Sequence, residues 1–330
     1  MDPKMLLADA ALAVGLTPQA LHNKIKRAQI DVNKSKNRIY FGHEVSKKIL
    51  DIEFKPQILS FQIVKGGTGK TSMCLSVGVR ACLYGAKTLL VDLDSQANLT
   101  KACGIVAKNK PIMHDVINQD LRFEDAILNV CDGLDIFPSR IENIVLDTKI
   151  MLNRHPLERL YKDMLEPLKE KYDLILIDCP PALGCSVTAA TLASDKIIAP
   201  VTPSEFSLDG LGITADEMGN IEKHFKTNIN LYALLNEYDT RTTLSSDTLR
   251  LLLSSTRFAN KVLRAVVRKS QEFENSLVKR ITIFDSLNNN SAKEDIDLLT
   301  RELLNIGPVA NLEAITSDAN KQDALQQSQE

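Results

Sequence analysis

The sequence predicts an α/β protein: a doubly wound, mostly parallel sheet preceded by a small basic unit. Three observations predict it. Short apolar, β-rich runs alternate with helical stretches from about residue 57 onward, the pattern of parallel strands covered on both faces. The glycine-rich run "VKGGTGKTS" (64–72) falls between the first of these strands and the first long helical stretch. Residues 1–56 carry ten Lys/Arg against six Asp/Glu, +4, on a chain whose net charge is −2.

Length and composition agree with this. The 330 residues suggest two units at about 150 residues per domain. With 44% hydrophobic and 25% charged residues the composition is that of an ordinary globular chain. No apolar run reaches the roughly 18 residues of a membrane span. The first stretch, "MDPKMLLADAALAVG", lacks the basic start of an export signal, so a cytoplasmic protein is expected. The six cysteines form no C-x-x-C pair and are expected to be reduced, packed thiols without a metal or redox role.

The elements follow in order. Residues 5–14 are apolar and alanine-rich, a helical pattern ended by Gly15. Thr17 can cap the next helix, with Pro18 at its first position. Ala20, Leu21 and Ile25 give that helix an apolar face; Gln19, His22, Asn23, Lys26 and Arg27 fall mostly on the other side. "DVNKSKNRIYFG" is a strand–turn–strand candidate with Lys34, Lys36 and Arg38 near its tip, and "HEVSKKILDI" closes the unit as a short helix. This layout resembles a winged, MerR-like helix-turn-helix domain over residues 1–56. A small helical cap with a solvated basic face is the alternative. Pro56 marks the boundary. Strands are then expected at "ILSFQIV", "KTLLVDLD", "LDIFPS", "YDLILIDCPP", "KIIAPVTP", "INLYALLNEY" and "VKRITIFD". Ligand should bind at their carboxyl ends. Residues 57–309 form this second unit, and the polar stretch 310–330 is expected to be a disordered tail.

The glycine run departs from the common cradle G-x-x-x-x-G-K-[ST] only in having Val64 at its first position. Backbone N–H groups of such a loop, with the helix N-terminus behind them, present partial positive charge to phosphate oxygens. Gly66, Gly67 and Gly69 allow close approach, with Thr68 and Ser72 completing the cradle. Lys70 is placed to reach the β- and γ-phosphates, and the Thr71 hydroxyl to ligate Mg²⁺. Carboxylates close two strands: Asp92 and Asp94 in "LLVDLDSQANLT", and Asp178 in "LILIDCPP". Such groups can hold a metal-bound water or orient the attacking one. Thr71 is thus the metal candidate by position, with the three acids left to share the metal-water and attacking-water roles, and the unit reads as a P-loop domain that binds a phosphorylated nucleotide with Mg²⁺.

"KGGTGKT", "VDLDSQANLT" and "LILIDCPP" are similar to the deviant Walker A, second and Walker B motifs of the ParA/MinD ATPases. "PVTPSEFSLDGL" and "LLNEYDTRTTLS" extend the resemblance, which covers about Ile58 to Leu304. Ser95 stands where the ParA branch usually has Pro, and "NEYD" replaces its commoner N-K/R. The resemblance implies a P-loop NTPase using ATP and Mg²⁺, in which Lys65 crosses a dimer interface to the partner's nucleotide, Asp94 activates water, Asp92 and, through water, Asp178 support the Mg²⁺, and Asn236 lies near adenine. It further implies an ATP-dependent homodimer, nonspecific DNA binding on the nucleoid, and hydrolysis stimulated by a ParB-type centromere-binding protein. The basic unit in front suggests operator binding through Gln19, His22, Asn23, Lys26, Lys34, Lys36 and Arg38. Arg257, Lys261, Arg264 and Arg268, spaced by four, three and four, predict a cationic helix face for nonspecific DNA. A solvated face is the plainer alternative. A nucleotide-sensing repressor and a MinD-like membrane-positioning ATPase are the other functional readings. The second lacks a basic amphipathic C-terminal helix, so no membrane partner is expected.

Overall fold

The computed structural model describes residues 1–119 and 121–307. The first stretch folds as β1 (Met5–Leu6), α1 (Leu7–Ala13), α2 (Pro18–Arg27), β2 (Asn33–Ser35), β3 (Arg38–Phe41) and α3 (His43–Ile49). Gly15 turns the chain between the first two helices at φ 67°. Thr17 Oγ1 accepts from the Ala20 N–H at 3.1 Å, and Pro18 opens the helix, as the capping rules require. Strand β3 is the middle of a three-stranded antiparallel sheet in the order β1-β3-β2.

These elements do not stand apart from the rest. Met5, Ala10, Leu21, Ile25 and Phe41 belong to the same apolar cluster as Phe61, Val77 and Leu299. Polar contacts fasten the seam. The Lys4 N–H donates to the Phe284 carbonyl at 3.0 Å, and His43 Nδ1 lies 3.0 Å from the Cys82 carbonyl.

The larger part runs β4 (Gln57–Phe61), α4 (Lys70–Leu83), β5 (Thr88–Asp92), α5 (Asn98–Ala102), α6 (Met113–Gln119), β6 (Leu128–Cys131) and β7 (Leu134–Phe137). There follow α7 (Leu146–Leu152), α8 (Leu157–Leu160), α9 (Lys162–Leu165), β8 (Leu174–Asp178), α10 (Cys185–Ala193), β9 (Lys196–Val201) and α11 (Glu205–Phe225). The last elements are β10 (Leu231–Leu235), α12 (Thr243–Ser254), α13 (Gln271–Lys279) and α14 (Ser291–Leu304). The sheet order is β10-β9-β4-β8-β5-β7-β6, and every pairing is parallel except β6 with β7. From β4 the chain crosses over β8 to reach β5, and later returns to β9 on the other side of β4. That reversal opens a crevice at the carboxyl ends of the central strands. There Phe61 and Asp92 both lie in register with Asp178.

Three expectations change. "VKRITIFD" is not a strand: Val278 and Lys279 finish α13, and Thr282 caps a 3₁₀ turn over Ile283–Asp285 through a capping box with Asp285. β-rich residues there are overridden by local capping and by burial of Ile283 and Phe284. Strand β6 was not anticipated; Asp132-Gly133, with Gly133 at φ 78°, makes the hairpin turn to β7 that this dipeptide signals. Residues 255–270 form no α-helix, only a 3₁₀ turn over Ala259–Lys261. The Leu263 and Val267 N–H groups donate to the Ala233 and Leu235 carbonyls at 2.9 Å, so the segment runs extended beside β10. Its apolar, β-branched run "VLRAVV" buries Leu263, Ala265, Val266 and Val267 better that way than on one helix face. The expected tail at 310–330 lies outside the described residues.

Candidate nucleotide-binding site

The loop that leaves β4 is braced before it reaches the glycines. The Val64 N–H donates to Thr214 Oγ1 at 3.0 Å, tying the loop to α11. Gly69 then turns at φ 90° as the residue before α4. A Cβ there would stand 2.3 Å from Asn236 Nδ2. That amide is already committed, donating to the Thr68 carbonyl at 2.8 Å. Asn236, expected near adenine, thus also braces the loop backbone.

Lys70 is buried and donates from Nζ to the Lys65 carbonyl at 2.9 Å, folding back over the loop. Burial lowers its pKa, against the opposing pull of Asp178. Thr71 Oγ1 donates to Asp178 Oδ2 at 2.7 Å. The other oxygen, Asp178 Oδ1, is buried with no hydrogen-bond partner. Burial first, and Asp92 next, push this carboxyl well above the usual carboxylate range. An orphaned buried acceptor costs about 1–3 kcal/mol and calls for a missing partner. The donor set around it, a hydroxyl and a carboxylate, is the hard-oxygen chemistry that suits Mg²⁺. Thr71 and Asp178 thus fit the cation expected of them.

Asp92 does not. Its Oδ2 accepts from the Thr100 N–H at 2.9 Å and hydroxyl at 2.6 Å, and its Oδ1 from the Asp94 N–H at 3.1 Å. Both oxygens are spent on the turn after β5, and the group is fully buried. Burial pushes its pKa up to about 7, against the Thr100 hydrogen bonds. Asp92 shapes the turn that carries Asp94 and is not placed as a metal ligand. Asp94 itself is half-buried, with Oδ1 accepting from the Gln96 N–H at 2.9 Å.

A cavity of about 520 Å³ opens above these groups, lined by Gly66 through Ser72, Asp94, Gln96, Asn98, Pro180 and Pro181. Gln96 and Asn98 were legible as part of the second motif, whereas Pro180 and Pro181 were seen only as flanks of Asp178. A second cavity of about 340 Å³ shares Gly69 and Ser72 with the first. Asn236, Glu237, Phe273 and Leu277 are among its walls, space and apolar surface for a ring. Sequence reasoning missed α13 as a wall. Lys65 lines neither cavity. It is exposed, with Nζ 5.5 Å from the ring centroid of Phe206, itself 72% exposed.

The basic candidates are scattered. Gln19, Asn23 and Lys26 are exposed on α2, and His22 half-buried. Lys34 and Lys36 stand exposed on the hairpin, but the Arg38 guanidinium donates to the Leu287 carbonyl of the larger part. Lys261 and Arg264 are exposed without sharing a helix face. Arg268 is taken: it holds fully buried Asp295 through Nε at 3.0 Å and NH2 at 2.7 Å, and Glu294 at 3.0 Å. Arg257 pairs with Asp216 at 2.8 Å.

A doubly wound sheet, a glycine loop running into a helix, and strand-end carboxylates beside it define a P-loop nucleotide-binding domain. Residues 56–231 match the family described as AAA domain. The virulence plasmid ParA family protein pGP5-D of Chlamydia trachomatis is 31% identical over 251 residues, 75% of this chain and 94% of that one. The sporulation initiation inhibitor protein Soj of Bacillus subtilis is 30% identical over 217 residues, 65% of this chain and 85% of that one. Cyanothece McdA, solved as an ATP complex, superposes with a TM-score of 0.69 at 19% identity, covering 78% of this chain and all of that one. The chain belongs to the ParA family of ATPases.

Proposed function

We infer that this chain is a DNA-partition ATPase whose ATP-bound state is a dimer. The observation that carries the reading is the division of labour between two lysines. Lys70 folds over its own loop, while Lys65 lies outside both cavities with an exposed ammonium. A cation turned away from its own site suits a second copy's nucleotide, the arginine-finger logic supplied in trans. Lys70 steadies the β- and γ-phosphates, and Asp94 orients the attacking water and takes its proton. Mg²⁺ beside Thr71 and Asp178 would neutralise phosphate charge. ATP then favours the dimer because only the γ-phosphate state offers the cross-contact.

Sedimentation with ATP and Mg²⁺ should show a larger dimer fraction than with ADP. Lys65→Ala should cut turnover about 10³-fold, the scale of a charge supplied in trans. Unchanged turnover in that variant would overturn the role given to Lys65.

The DNA contacts belong to the same reading. Exposed Gln19, Asn23 and Lys26 on α2, with half-buried His22, form the kind of helix face that reads a major groove, and Lys34 and Lys36 suit phosphates. Lys261 and Arg264 remain candidates for nonspecific contact. A ParB-type partner would accelerate hydrolysis. Pull-downs with operator and random duplexes, with and without ATP, separate a partition ATPase from a nucleotide-sensing repressor. The first binds random DNA only with ATP; the second binds operator alone.

A further inference from the structure

A third cavity, of about 390 Å³, lies beside the phosphate cavity and shares Ser95 and Gln96 with it. The function proposed above makes no use of it. Its floor and lip are apolar: Ile105, Val106 and Ile141, the last two 80% and 58% exposed. Its charge is one-sided. Lys101, Arg140 and Arg280 line it and no carboxylate does. The three cations are not equivalent. Arg140 is built into the wall, donating to the Ala107 carbonyl at 2.8 Å and pairing with Asp115 at 3.3 Å. Lys101 makes one bond, to the Gln96 carbonyl at 2.7 Å, and keeps two donors free. The Arg280 guanidinium has no hydrogen-bond or ion-pair partner among the described residues.

We propose that this cavity is a docking site for a short acidic peptide segment of a partner protein, one that also carries a large apolar side chain. The apolar lip decides between peptide and nucleic acid. A phosphate backbone would pair with Arg280 and Lys101 but leave Val106 and Ile141 in water. A peptide covers both, and buried apolar area supplies about 25 cal/mol per Å². The shared wall supplies a consequence. Ala97, at φ 53°, holds the turn that joins Asp94 to α5 in a left-handed conformation unusual for a residue with a Cβ. A segment seated against Ser95 and Gln96 presses on the turn that presents Asp94, so occupancy should change ATP turnover. That last consequence rests on the proposed function; the docking itself does not.

The test is selection of a random short-peptide display library on the full chain, with the selected peptides then synthesised and labelled. Fluorescence anisotropy without nucleotide reads binding alone. Selected peptides should be rich in Asp or Glu beside Leu, Ile or Phe. Arg280→Glu combined with Lys101→Glu should weaken them at least about tenfold, and Val106→Glu should weaken them independently. All three positions are exposed, and unchanged thermal melts will show the variants folded. Peptides without acidic bias, or equal affinity in the variants, overturn the proposal. So does competition by random duplex DNA that disappears with Arg280→Glu, which assigns the surface to DNA. A lost ATP-dependent dimer in the same variant assigns it to a second copy. Peptide binding with no effect on turnover retains the site and removes only its link to Asp94.

Discussion

The two ends of α4 make an instructive pair. Both carry buried charge, on one rigid helix of 14 residues. At the N-terminal end, buried Lys70 bonds the Lys65 carbonyl and Thr71 meets Asp178, one of whose oxygens is buried and unpaired. At the C-terminal end, Arg80 is 2% exposed and fully engaged. It meets Asp297 through Nε at 2.7 Å and NH2 at 2.5 Å, while Tyr84 donates to the same carboxylate. Met5 of the N-terminal stretch closes over it, its Sδ 3.3 Å from Arg80 NH1. Burial opposes the charge on Arg80, yet Asp297 beside it holds its pKa above the ordinary value. One end is left incomplete and the other is finished. Incomplete electrostatics belong to a binding site, and complete ones to the joint between the N-terminal elements and the rest of the chain.

Substitutions at the two ends should therefore separate stability from turnover. The largest effect is expected from Arg80→Ala, which takes the closest cation from Asp297, leaves it only Tyr84 and the longer Arg301 pair, and should cost about 3 kcal/mol in urea unfolding. A loss under 1 kcal/mol would mean that the joint is not electrostatic. Next comes Asp178→Asn. It should lower Mg²⁺-dependent turnover about 10²-fold or more while raising the apo melting temperature by about 2–4 °C, since it removes the cost of burying a carboxylate whose Oδ1 has no partner. A variant that melts lower and still turns over would erase the contrast between the ends. Gly69→Ala should be milder, about 1–2 kcal/mol for a Cβ in the left-handed region, and it should weaken nucleotide binding because the Cβ strikes Asn236.

The smallest expected effect is a pH slope. Asp92 titrates near 7 in the folded chain, raised by burial from 3.8. A raised carboxyl binds its proton more tightly when folded, so its stabilisation is complete below about pH 4 and fades as pH rises through 7. The urea midpoint of the apo protein should fall between pH 5.5 and 7.5, and Asp92→Asn should flatten that fall. An unchanged slope would assign the titration elsewhere.

Much of this was legible beforehand, and the misses share a cause. The glycine loop, the strands before it and after it, and the strand-end aspartates are local patterns, so spacing alone exposed them. Arg268 looked like a phosphate contact because helical spacing was assumed. Its partner, Asp295, lies 27 positions on, and no local pattern announces it. Asp92 and Asp178 look alike in sequence as strand-end acids. They differ because the chain after β5 folds Thr100 back onto Asp92, whereas nothing comparable reaches Asp178 Oδ1.

By itself, the sequence determined that a glycine-rich loop joins a buried strand to a helix, and that acids end the neighbouring strands. Those features depend on residue type and on periods of two or 3.6, which act over a few residues. Only the tertiary structure decided which acid keeps a free oxygen, which lysine turns outward, and that Arg80 meets Asp297 across 217 positions of chain. Desolvation and pairing are properties of three-dimensional neighbours. They decide whether a buried charge is a site or a joint.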